Sequence, residues 1–166
     1  RSLVGSEMCI RDRSGARPDP LLRGKRVAIL DGEDDFVNML RHVLGVFGMS
    51  STVVRHEDYA PGSLDGFDLV IVGPGPGDPR DGDDPKMAQL RAAVAELMAA
   101  ERAFLAVCLG MQLLARTSEE HADDGVPHSG FGWLDADILR LKPNDPKLKI
   151  PHMGWNIVAK ERDHPI

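Results

Sequence analysis

Apolar and polar positions along the chain change period in a regular way. Arg26–Leu30, Ser51–Arg55, Asp68–Val72 and Ala103–Val107 are short runs rich in Val, Ile, Leu and Ala, the pattern of buried strands. Between them lie longer stretches with a helical period. Over Phe36–Phe47 the apolar face is Phe36, Leu40, Val43, Leu44 and Phe47, with Asp34 or Asp35 as cap and Gly48 as stop. Over Pro85–Ala100 it is Met87, Leu90, Val94, Leu97 and Met98, with Pro85 in the first turn. Leu109–Ala115 reads as the start of a third helix. Strands alternating with helices predict an α/β fold, mainly a parallel open sheet with helices on both faces and Ala103–Val107 as its central strand.

The pattern weakens at both ends. Residues 1–24 have no helix or strand period and read as a disordered or artefactual leader. Within it, Ser2–Arg13 resembles translated sequencing-adapter sequence; an ordinary disordered terminus or linker is the alternative. The folded domain is expected over 25–166. After Thr117 comes a charged loop, Ser118–Ser129, in which His121 and His128 read as solvated. Phe131–Leu141 and Leu148–Lys160 alternate weakly. They predict a small antiparallel addition near the C-terminus.

Composition narrows the function. A net charge of −6 argues against a general nucleic-acid partner. No apolar stretch has the length of a membrane span. Two cysteines, Cys9 and Cys108, make no disulfide framework, so a reducing, cytoplasmic setting fits best.

The candidate chemistry sits at two strand ends. Cys108 follows the Ala103–Val107 run and opens a helix, so a sharp strand-to-helix turn would expose its sulfur. The unpaired N–H groups of a helix start favour a thiolate there. A buried structural cysteine is the common alternative. A second loop, Gly73-Pro74-Gly75-Pro76-Gly77-Asp78-Pro79, follows the third strand at the same sheet edge, where open parallel sheets bind ligands. Its glycines let backbone N–H groups approach a ligand, and its prolines stiffen them into place. An ordinary Gly/Pro surface loop is the alternative.

Together the two stretches resemble the class I (triad) glutamine amidotransferase family, whose sheet is flavodoxin-like. The resemblance covers roughly Lys25 to the C-terminus. It implies a glutaminase that forms a cysteine thioester and passes ammonia to a synthase partner, with no cofactor and no metal. By position it implies that Cys108 is the nucleophile and that the amides of Gly75 and Leu109 form the oxyanion hole. Gln112, Pro74 and Gly110 would contact glutamine. The family's His-x-Glu pair is not matched: the chain ends Asp163-His164-Pro165-Ile166, as expected of a domain truncated at its C-terminus and inactive without that pair.

The resemblance to particular amidotransferases changes along the chain. Leu30–Phe36, the Gly73–Pro79 loop and Asp84–Met87 are similar to the glutaminase part of anthranilate synthase-like, phenazine-type chorismate-aminating enzymes. Leu109–Leu114, Gly130–Trp133 and Pro151–Asn156 are similar to the glutaminase subunit of imidazole glycerol phosphate synthase. In the latter, the strand carrying His152, Gly154, Trp155 and Asn156 would lie near the active site and the synthase interface; cross-strand packing is the alternative role. Two joined genes and a genuine hybrid both fit this change near Cys108. The specific Pro-His-Met-Gly-Trp-Asn match favours the histidine-biosynthesis subunit. Two rivals come from other classes. Ala28–Phe36, with its early acidic residues, resembles the start of a response-regulator receiver domain, although Val72-Gly73 stands where such a domain needs an Asp. A non-catalytic binding module is the other.

Overall fold

A computed structural model describes residues 20–77, 83–119, 122 and 125–150. The apolar runs form four parallel strands: β1 (Arg26–Asp31), β2 (Ser50–Arg55), β3 (Leu69–Val72) and β4 (Phe104–Ala106), in the spatial order β2-β1-β3-β4. Helices α1 (Phe36–Val46), α2 (Pro85–Ala99) and α3 (Leu109–Leu114) connect or follow them. The α/β class and the helix-covered parallel sheet therefore match expectation. Among the described residues β4 pairs only with β3 and is outermost, although a central place was expected of it.

Strand alternation divides the core into two layers. Val27, Ile29 and Ile71 pack with Val37 and Leu44 of α1 on one face. Ala28, Leu30, Val70 and Val72 pack with Leu90, Val94 and Leu97 of α2 on the other, where Leu109 and Leu113 of α3 join them. Leu90 is fully buried. Leu90→Ala should cost about 2–5 kcal/mol, because the rigid sheet cannot collapse into the cavity. Urea unfolding would read this as a lower midpoint at unchanged slope.

The expected helix faces need correction. Phe36, Val43 and Phe47 are exposed; Leu44 and Leu40 face the sheet as expected, and Val37 joins them. The apolar stripe of α1 is wider than its contact with the sheet, so periodicity alone drew the buried line too broadly. Met98 is also exposed. The α1 cap is split: Asp34 Oδ1 accepts from the Phe36 amide at 2.7 Å, while the Asp35 side chain makes no cap bond. Asp84 caps α2 by accepting from the Lys86 amide at 2.8 Å.

A second, three-stranded sheet has the order β6-β5-β7, with β5 at Thr117–Ser118, β6 at His128–Ser129 and β7 at Asp137–Ile138. It is mixed, not antiparallel throughout: β5 pairs antiparallel with β6 and parallel with β7. The expected strand over Phe131–Leu141 shrinks to Asp137–Ile138, because residues 131–134 cap α3 instead. The amides of Phe131, Gly132 and Leu134 donate to the carbonyls of Leu113, Ala115 and Leu114 at 2.8–3.0 Å. His128 is 1% exposed, and among the described residues neither ring nitrogen has a hydrogen-bond partner, so it is a buried residue and not a solvated one. His121 and most of Leu148–Lys160 lie outside the described residues.

Candidate functional site

Register builds the site. Leu30 pairs with Val72, and Val72 with Ala106, so β1, β3 and β4 end flush. The segments that follow them emerge side by side: Asp31–Glu33, Gly73–Gly77 and Val107–Cys108. The crossover from β2 to β3 passes over β1, so the first two segments flank the point where strand order reverses.

Cys108 stands between β4 and α3 with φ 53° and ψ −114°, a backbone state costly for any residue with a Cβ, on the order of 1–3 kcal/mol. It is exposed and its thiol is free. Main-chain hydrogen bonds hold the elbow, among them that of the Gly110 amide to Val107 O at 3.1 Å. The Val107 amide donates to Val72 O at 3.0 Å, and the Gln112 amide donates to Cys108 O at 3.0 Å. Gly110 crosses directly over β3: a Cβ there would lie 2.8 Å from Val72 O and 3.0 Å from Val72 Cγ1. Only glycine lets the first turn of α3 sit this low on the sheet. Leu109 and Gln112 are buried behind it, at 1% and 8% exposure.

The Gly-Pro loop is packed against the loop after β1. A Cβ on Gly75 would overlap the Gly32 backbone, so the two chains touch main chain to main chain. Of the three glycine amides in this loop, that of Gly73 is used in the sheet, donating to Leu30 O at 2.9 Å. Among the described residues, the Gly75 and Leu109 amides donate to no protein acceptor. These are the two donors expected to face an oxyanion. Pro74 and Gly75 are buried, and Gly77 reaches the elbow: a Cβ placed there lies 3.5 Å from Leu109 Cδ2.

A polar cluster that the sequence reading missed lies beside this loop. The Lys86 ammonium, 7% exposed, donates to Pro76 O at 2.6 Å and to Glu33 Oε2 at 3.1 Å. Glu33 Oε1 lies 3.3 Å from His56 Nε2. Hydrogen bonding to Lys86 and then to His56 holds the Glu33 carboxyl below its ordinary range. Glu33 has φ 71°, and its amide donates to Asp31 Oδ1 at 2.8 Å. Glu33 and Lys86 fall within stretches already noted for resemblance, yet 53 positions separate them, which gives no pattern to read.

His152, Gly154, Trp155 and Asn156 lie outside the described residues, as do Asp78, Pro79 and His164. The expected site is thus described in its elbow and its loop, and not in its C-terminal part. Among the described residues no helix is long and apolar enough to cross a membrane.

Comparison with known proteins identifies relatives of the chain. The chain is 44% identical over 146 residues to "Imidazole glycerol phosphate synthase subunit HisH 2" of Nitrobacter winogradskyi, covering 85% of this chain and 65% of that protein. A match of that extent includes Cys108 wherever it begins, so one relative spans both sides of the elbow. The chain is 50% identical over 66 residues to "Imidazole glycerol phosphate synthase subunit HisH" of Zymomonas mobilis, covering 39% of this chain and 29% of that protein. It is 42% identical over 92 residues to "Anthranilate synthase, phenazine specific" of Pseudomonas chlororaphis, covering 55% of this chain and 14% of that protein. The chain therefore spans less than two thirds of the length of these relatives. The family model for glutamine amidotransferase class-I matches residues 28–165, and the chain belongs to that family.

Proposed function

We propose that this chain is the glutaminase part of an ammonia-transferring synthase, within a domain over residues 25–166. The observation that carries the reading is the strained, exposed Cys108 beside a loop with an unused Gly75 amide. Cys108 is the nucleophile. Its thiolate attacks the side-chain carboxamide carbon of glutamine, and the electron pair of the C=O bond moves to oxygen. The Gly75 and Leu109 amides stabilise that oxyanion. The C–N bond then breaks, the nitrogen takes up a proton, and ammonia leaves a thioester on Cys108. Water hydrolyses the thioester to glutamate and restores the thiol.

Gln112, Pro74 and Gly110 shape the glutamine pocket, and His152 with Gly154, Trp155 and Asn156 belongs to the same site or its interface with the synthase. A free thiol nucleophile fits a reducing, cytoplasmic setting. The family match and the absence of an Asp at the end of β3 displace the receiver-domain reading.

For the ammonia acceptor we favour imidazole glycerol phosphate synthase of histidine biosynthesis. The 85% coverage by the Nitrobacter protein supports it over the phenazine-type relative, which matches 55% of the chain. The test is reconstitution of the complete gene product with each type of synthase partner. Glutamine-dependent product should form with the imidazole glycerol phosphate synthase partner. Product formed only with the chorismate-aminating partner would reverse the assignment. A complex in which glutamine is bound but never hydrolysed would identify a non-catalytic binding module.

A further inference from the structure

Lys86 is an unusual place for a cation. It sits at the second position of α2, just after the Asp84 cap, where the helix dipole is positive and disfavours an ammonium. It is also buried, which is costly for a charge unless paired and hydrogen-bonded. Neither helix stability nor core packing accounts for it.

Its partners do. Lys86 Nζ donates to Pro76 O at 2.6 Å and to Glu33 Oε2 at 3.1 Å. Glu33 is itself fixed by Asp31 and lies against His56. The cluster thus ties the segment after β3 to those after β1 and β2 and to the start of α2. The peptide joining Pro76 to Gly77 is planar, so fixing its carbonyl toward Lys86 turns the Gly77 amide the opposite way. The same bond stops the Gly75–Gly77 stretch from swinging away from Leu109.

We propose that Lys86, buttressed by Glu33, is a positioning residue that pins the Pro76 carbonyl and so holds the Gly-Pro loop in register with Cys108. This rests on the glutaminase reading above. The residue does not touch the reacting atoms. It acts through the loop whose amide meets the oxyanion, so its effect falls on turnover and not on thiol reactivity.

The experiment uses the complete amidotransferase with its synthase partner and compares wild type, Lys86→Met, Glu33→Ala and Glu33→Gln. Lys86→Met should lower kcat for glutamine hydrolysis by about 10- to 100-fold, part of the loss caused by removing an oxyanion donor outright. KM should stay within about twofold, as for an interaction realised in the transition state. Alkylation of Cys108 by iodoacetamide, which forms no oxyanion, should keep its wild-type rate. Wild-type kcat in Lys86→Met overturns the proposal, and so does a parallel fall in alkylation, which marks a general structural role. Should Lys86→Met fail to fold, the half-exposed Glu33 carries the test. Glu33→Ala should lower kcat severalfold, and Glu33→Gln, which keeps an acceptor for Lys86, should restore much of it. Equal, wild-type values in both overturn the proposal. A wild type with no glutaminase activity would instead refute the functional reading.

Discussion

Replacing Cys108 with Ser in the complete enzyme should abolish glutamine hydrolysis, by on the order of 10⁴-fold or more, while ammonia-dependent synthesis by the partner continues. The serine keeps the side-chain shape of the elbow but holds its proton too tightly to attack a carboxamide. Stability should move in the opposite direction when the strain is relieved. Cys108 has φ 53°, a state that glycine adopts without steric cost. Cys108→Gly should therefore be as inactive as the serine variant and more stable by about 1 kcal/mol, measured by urea unfolding. The pair separates two roles of one position: strain that the fold tolerates, and a sulfur that the reaction uses. Residual glutaminase activity in either variant would place the nucleophile elsewhere.

Gly75→Ala should produce the second largest loss. The added methyl would overlap the Gly32 backbone, and no rotamer change can relieve a clash between two main chains. The loop must move, taking its amide away from the oxyanion. A fall of about 100- to 1000-fold in kcat is expected, the usual consequence of losing one such donor. Destabilisation of about 1–3 kcal/mol should accompany it, as for other overpacked contacts. Iodoacetamide should still modify Cys108 at close to its normal rate, because the thiol and its elbow rest on β4 and α3. If kcat holds while stability falls, Gly75 is only a packing contact and another amide serves the oxyanion.

The two predictions differ in how they were reached. The exposed strand-to-helix turn at Cys108 was legible because an apolar run, a cysteine and a helical period are adjacent in the chain, and adjacency is what local pattern reports. Gly75 was singled out by position in a resembling motif. Its reason for being glycine is a contact with Gly32, 43 positions earlier along the chain, which appears only when β1 and β3 pair. Lys86 is more distant still from anything a pattern can show. Its place in the sequence suggests an ordinary solvated helix residue, and only the folded chain brings Pro76 and Glu33 to it.

Strands β1 to β4, helices α1 and α2, and the α/β class were settled by local composition and period, since burial on both sheet faces demands continuous apolar strands. The buried line of α1 was only partly so, because its apolar stripe is wider than its contact, and packing kept Leu40 and Leu44, left Phe36, Val43 and Phe47 exposed and added Val37. The small second sheet proved mixed, and His128 was read wrongly in exposure, because two-residue strands carry no period and their partners are set by tertiary contact. The turn that carries Cys108 is thus written along the chain. The packing of the Gly-Pro loop on Gly32, the Lys86 bonds to Pro76 and Glu33 and the strained elbow angle depend on which strand ends lie together, and that is a property of the folded sheet alone.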